Sequence, residues 1–137
     1  MNITVIDGHG GMLGAQLVKE ISARFPSANI TAVGTNSVAT AAMLKAGANT
    51  VATGENPVVV ACRKADVIIG PVGIVIADSL TGEITPKMAK SVGQANAVRI
   101  LVPMNKCDNL IAGVKEASTS ALIEDVIAKL YNLIPNP

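Results

Sequence analysis

The run Ile3-Thr4-Val5-Ile6-Asp7-Gly8-His9-Gly10-Gly11-Met12-Leu13-Gly14 restricts the fold more than any other part of the chain. An apolar, β-branched stretch is followed by four glycines in seven positions and then by helix-period apolar residues. This reads as a buried strand, a tight turn and the start of a helix. Backbone amides exposed where such a turn opens a helix let a phosphate or another anion approach closely. The motif therefore says where a ligand sits, and leaves its identity and any reaction open.

The rest of the chain alternates in the same manner. Residues 15–23 set Leu17, Val18 and Ile21 against Lys19 and Glu20 and stop before Pro26, a first amphipathic helix. Residues 29–34 form a second strand, and Asn36 or Ser37 caps a second helix closed by Gly47. Residues 49–53 are a third strand. Asn56-Pro57 opens a third helix through Lys64, and residues 66–70 are a fourth strand. Residues 71–78 fit extended chain or a short buried helix equally well. Thr85-Pro86 opens a helix to about Val92, residues 97–102 are a fifth strand, residues 110–114 a sixth, and residues 118–130 a last helix. Only residues 103–109 separate strands five and six, too few for a parallel crossover, so the sixth is expected antiparallel at the edge.

These elements predict a single domain over residues 1–137, a doubly wound, Rossmann-like three-layer α/β fold. Its six-stranded sheet should have the order 3-2-1-4-5-6. Composition agrees: half the residues are apolar, 15% are charged, and Phe25 and Tyr131 are the only aromatics. An aliphatic core of this kind suits parallel strands covered on both faces. A net charge of +1 without a basic block argues against nucleic acid as a partner. No apolar run is long enough to span a bilayer. Two cysteines, Cys62 and Cys107, without a basic-then-apolar leader fit a reduced, cytoplasmic protein.

In such a sheet the ligand lies beyond the carboxyl ends of the strands, where strand order reverses between strands one and four. The expected cofactor-binding residues are Gly8, His9, Gly10, Gly11, Met12, Leu13 and Gly14, with Thr35, Asn36 and Ser37 near a ribose. Asp7, Gly70, Pro71, Gly73, Asn105 and Cys107 border the same crevice and are candidates for contact with a second ligand. NAD or NADP is the cofactor class that the loop suggests. Two features oppose it. No Asp or Glu stands between Ile21 and Gly54 to hold ribose hydroxyls, and Asp7 places a carboxylate before the anion loop unless it is protonated, paired or bonded to its own loop amides. Thr35, Asn36 and Ser37 would suit a 2′-phosphate instead.

Plainer readings stand beside these. The glycines also permit a tight turn and close helix packing, and His9, the one histidine, reads as a loop residue beside Asp7. Ser79, Thr81 and Glu83 are expected to build the turn into the next helix, and Cys62 to belong to the core. Asp7, His9, Asp78, Glu83 and Asp108 lack ligand spacing, so no metal is expected.

Read as GxxGxxG, Gly8, Gly11 and Gly14 resemble the cofactor loop of extended and atypical short-chain dehydrogenase/reductases. That family's tyrosine-x-x-x-lysine pair has no counterpart, because Tyr131 is the only tyrosine. The wider set Asp7-Gly8-x-Gly10-Gly11-x-x-Gly14, Gly70-Pro71-x-Gly73, Gly82-Glu83-Ile84-Thr85 and Ile100-Leu101-Val102-Pro103-x-Asn105-x-Cys107 resembles a small bacterial domain-of-unknown-function family of single-domain, Rossmann-like proteins. The resemblance implies a bacterial origin and adds weight to Asn105 and Cys107. Together these observations point to a nucleotide- or dinucleotide-binding protein, with cofactor-dependent redox chemistry if it is catalytic. The alternative is a non-enzymatic module that senses a small metabolite in the same crevice. A small cleft suggests help from another subunit, in a homodimer or higher homo-oligomer, with residues 72–77, if exposed, as an apolar contact.

Overall fold

A computed structural model describes residues 1–104 and 108–134. Five strands, β1 (Asn2–Asp7), β2 (Asn29–Gly34), β3 (Thr50–Thr53), β4 (Val67–Pro71) and β5 (Val98–Val102), form one sheet in the order β3-β2-β1-β4-β5. Every pairing is parallel, with Ile3 opposite Ile30 and Val67, and Ile69 opposite Ile100. Helices α1 (Met12–Arg24) and α2 (Ser37–Ala46) join the first three strands. Helices α3 (Glu55–Lys64) and α4 (Pro86–Gln94) lead to β4 and β5, and α5 (Thr119–Leu133) follows.

The three-layer α/β architecture is thus present, but its sheet has five strands, and no sixth forms among the described residues. Residues 110–114 do not pair. Gly113 takes a left-handed φ of 82°, Val114 N donates to Ile111 O at 3.3 Å, and Leu110 is 96% exposed. A turn centred on a left-handed glycine interrupts the apolar run, so the segment joins β5 to α5 as a loop. The ambiguous stretch after β4 resolves as a 3-10 turn, Val72–Val75, with Ile74 fully buried. Helix α3 begins one residue before Asn56, because Gly54 is its N-cap.

Alternation along the strands divides the core in two. Ile3, Val5, Ile30, Val67 and Ile69 face α1, α2 and α5, where Leu17, Ile21, Met43, Ile127 and Leu130 cover them. Ile6, Val33 and Ile68 face α3, α4 and the 72–84 connection, meeting Val58, Cys62, Leu80, Ile84, Met88 and Val92. Each fully buried aliphatic side chain contributes roughly 1.5–3 kcal/mol, so the sheet is held rigidly from both faces. The carboxyl ends of β1 and β2 are thereby fixed side by side, Asp7 opposite Gly34.

Candidate functional site

The turn after β1 has an inner and an outer side, and a different carboxylate serves each. On the inner side Asp7 is 3% exposed; its Oδ1 accepts from Gly8 N at 2.8 Å and its Oδ2 from Gly14 N at 2.7 Å. The N-cap residue of α1, Gly11, has no side chain to cap the helix, so Asp7 reaches forward from the strand and caps it. Burial pushes the Asp7 carboxyl above its ordinary value, against the pull of the Gly14 and Gly8 amides and of His9 nearby. The carboxylate thus bonds its own loop amides, and the charge before the turn is directed inward.

Two glycines seat this arrangement. A Cβ on Gly14 would lie 2.6 Å from Met43 Sδ and 2.8 Å from Asp7 Cβ. One on Gly11, where φ is 73°, would lie 2.6 Å from Ala39 Cα. Both are required for α1 to pack against α2 and β1. Gly10 is different: it is exposed, and its nearest neighbour would be Met12 Cγ at 4.0 Å.

On the outer side the loop between the 3-10 turn and α4 folds back over the glycine turn. Glu83 Oε1 accepts from His9 N at 3.0 Å, Thr35 Oγ1 at 2.6 Å and Asn36 Nδ2 at 2.7 Å. Desolvation raises the Glu83 pKa, but the bonds from Thr35, Asn36 and His9 outweigh it and hold the carboxyl below its ordinary value. Its second oxygen has only His9 Nε2 nearby, at 3.7 Å, and the side chain is 25% exposed. Asn36 links the elements: Oδ1 caps α2 by accepting from Ala39 N, and Nδ2 also donates to His9 O at 2.9 Å. His9 stands at a left-handed φ of 50°, with Nε2 3.2 Å from Thr81 Oγ1, and so faces Thr81 and Glu83 instead of Asp7.

Glu83 does more than the turn-building expected of it. Its backbone does build the turn, Glu83 N donating to Leu80 O at 3.1 Å, but its side chain reaches the glycine turn 74 residues away. The signal in the sequence is the acid missing after strand two, which leaves any carboxylate at that edge to come from another loop.

The remaining candidates divide. His9, Gly10, Met12 and Ser37 are exposed around the rim, Thr35 and Asn36 half-buried, and Leu13 buried on the inner face of α1. Among the described residues, no protein acceptor meets the Gly10 or Met12 amide. Gly70, Pro71 and Gly73 are buried: a Cβ on Gly70 would collide with Ile6 O, and Gly73 O accepts from Ser79 Oγ. Leu80 and Ile84, 1% and 0% exposed, fill the space beside β4. Of the expected oligomer contact at 72–77, Gly73 and Ile74 are buried, Val72, Val75 and Ile76 half-buried and Ala77 exposed. Asn105 and Cys107 lie outside the described residues. Cys62 is buried in α3 and its thiol is pushed up to about 11 by desolvation, which makes it an inert core residue.

Concavities of about 450 Å³, between β1–β3 and α3, and about 360 Å³, between β5 and α5, lie away from this turn. Among the described residues, no group of three or more His, Cys, Asp and Glu side chains is arranged to hold a metal, and no helix is long and apolar enough to cross a membrane.

Comparison with curated proteins gives no match. Among solved structures, a dodecameric FMN-dependent Ubix-like decarboxylase from Escherichia coli O157:H7 is 11% identical, with 99% of this chain and 96% of that chain covered and a TM-score of 0.45. A likeness of that degree bears on neither ligand nor activity. The family model for "Domain of unknown function (DUF3842)" matches residues 2–135, nearly the whole length, and the chain belongs to that family.

Proposed function

We propose that this protein binds a mononucleotide-sized ligand at the carboxyl edge of β1 and β2, gripping an unsubstituted ribose diol through Glu83. One observation supports the reading: three donors immobilise Glu83 Oε1, while Oε2 carries one long pairing, to His9 Nε2 at 3.7 Å, on a side chain that is 25% exposed. A fixed carboxylate whose second oxygen has lone pairs to spare beyond one long pairing accepts hydroxyl hydrogens, and hydrogen bonds to a charged group are the stronger kind. The Gly10 and Met12 amides at the α1 N-terminus supply donors for a phosphate. Asp7 does not oppose that phosphate directly, since both its oxygens are engaged beneath the turn.

The same geometry refines the NAD or NADP expectation. A 2′-phosphate beside Thr35 and Asn36 would meet the Glu83 carboxylate, so NADP is disfavoured. The second half of a dinucleotide would need the space beside β4 that Leu80 and Ile84 fill. A thermal-shift series with ADP, AMP, FMN, NAD, NADP and inorganic phosphate tests this. ADP or another mononucleotide should stabilise the fold most, and NADP least among the nucleotides. Stabilisation by NADP equal to that by ADP, or by no nucleotide at all, refutes the reading.

A second reading, a non-enzymatic sensing module at the same edge, draws support from His9. Its ring is 43% exposed at the rim, beside Glu83 and Thr81, where a small metabolite can reach it. Recovery of the bound nucleotide unchanged after prolonged incubation distinguishes sensing from turnover.

A further inference from the structure

The open edge of β5 differs from the rest of the sheet. Val98 N donates to Asp66 O at 3.0 Å, so Val98, Ile100 and Val102 direct their backbone groups toward β4. Arg99 and Leu101, between them, present N–H and C=O outward, where no strand among the described residues pairs. Sheet edges of this kind are commonly guarded by a charged side chain, a bulge or a covering element. Here the Arg99 guanidinium is drawn back instead, Nη1 donating to Ala95 O at 2.9 Å and Ala97 O at 3.3 Å at the end of α4. Val98 is 47% exposed at one end of the strand. Beside the edge runs the groove of about 360 Å³, floored by Ile100, Val102, Leu122, Val126 and Leu133.

We propose that the β5 edge and the α5 face beside it form a two-fold interface with a second copy of this chain, pairing β5 with β5 antiparallel about Ile100. In that register Arg99 faces the partner's Leu101 and Leu101 faces the partner's Arg99, so each outward N–H and C=O finds a mate and the two sheets become one. Charge on the rim argues for a copy of the same chain over an unrelated strand. Asp125 and Lys129 lie one turn apart on α5, bonded at 2.6 Å, and both line the groove. A two-fold operator that pairs β5 with β5 also reverses α5 relative to its mate, so the order Asp125 then Lys129 on one copy runs against Lys129 then Asp125 on the other. The rim is therefore complementary to itself.

Sedimentation of the full chain at about 100 μM should give twice the 13.9 kDa chain mass, with dissociation on dilution. Leu101→Pro removes an outward N–H without touching the bonds to β4, and it should weaken the dimer about tenfold or more. Asp125→Lys sets like charges together and should weaken it as well; Asp125→Lys with Lys129→Asp should restore it. Circular dichroism on each variant confirms that the monomer is folded. A wild-type monomer at that concentration, including one that pairs only with a strand of another protein, overturns the proposal. So does a dimer indifferent to Leu101→Pro and Asp125→Lys.

Discussion

The two sides of the glycine turn each hold a carboxylate, and they are held for opposite reasons. Asp7 sits in the interior with two amide donors, and burial prevails, raising its pKa. Glu83 reaches the rim with three donors on one oxygen and His9 beside the other; the hydrogen bonds prevail and its pKa falls. Donor number and exposure, not residue type, decide which carboxylate is structural and which is available to a ligand. The inner side is packed and its groups are consumed. The outer side keeps an oxygen with one long pairing, to His9, and the Gly10 and Met12 amides.

Substitutions should separate the sides most clearly in stability. Gly14→Ala drives a methyl into Met43 and Asp7 and should cost about 2–3 kcal/mol, whereas Gly10→Ala on the open side should change stability by about 0.5 kcal/mol or less. Urea unfolding of the two variants checks the contrast. Equal losses would erase the distinction between the sides.

The carboxylates themselves give a smaller but sharper comparison. Asp7→Asn turns an amide N–H₂ toward Gly8 N or Gly14 N, leaving two donors face to face, at a cost of about 1–3 kcal/mol. Glu83→Gln keeps an oxygen for the three donors and should cost about 1 kcal/mol or less at this partly exposed position. Thermal melts of both variants at neutral pH check the order.

Acid should then move the two in opposite directions. The Glu83 pKa is lowered by folding, so its contribution is present above the ordinary value of 4.5 and lost as pH falls through the folded value. The Asp7 pKa is raised, so its contribution is fully present below 3.8 and lost as pH rises through the folded value. On acidification the gap between wild type and Glu83→Gln should close, while the gap between wild type and Asp7→Asn should widen. Parallel melts across the carboxylate range read both slopes, and slopes of the same sign contradict the assignment.

Local chemistry made much of this legible. The β1–turn–α1 unit, the Asn36 cap on α2 and the Thr85-Pro86 start of α4 are all formed by residues adjacent in sequence, and each stands where local rules place it. The alternation of strand and helix fixed the topology up to β5. What local rules missed depends on distant partners. Residues 110–114 carry strand-forming side chains, but Gly113 turns the chain before an edge can pair with them. The stretch after β4 folds inward because Ser79 Oγ reaches back to Gly73 O and Ile74 enters the core. Glu83 finds Thr35 and His9 only after α3, β4 and the connection have placed it, and no spacing rule encodes that contact.

The central claim is that Glu83 is the ligand-facing acid of this edge. Calorimetric titration of wild type and Glu83→Gln with ADP and 2′-deoxy-ADP tests it most directly. Wild type should bind ADP about tenfold or more tightly than the deoxy analogue, and Glu83→Gln should lose that preference while remaining folded. Equal affinity for the two nucleotides in wild type, or a preference that survives Glu83→Gln, would contradict it.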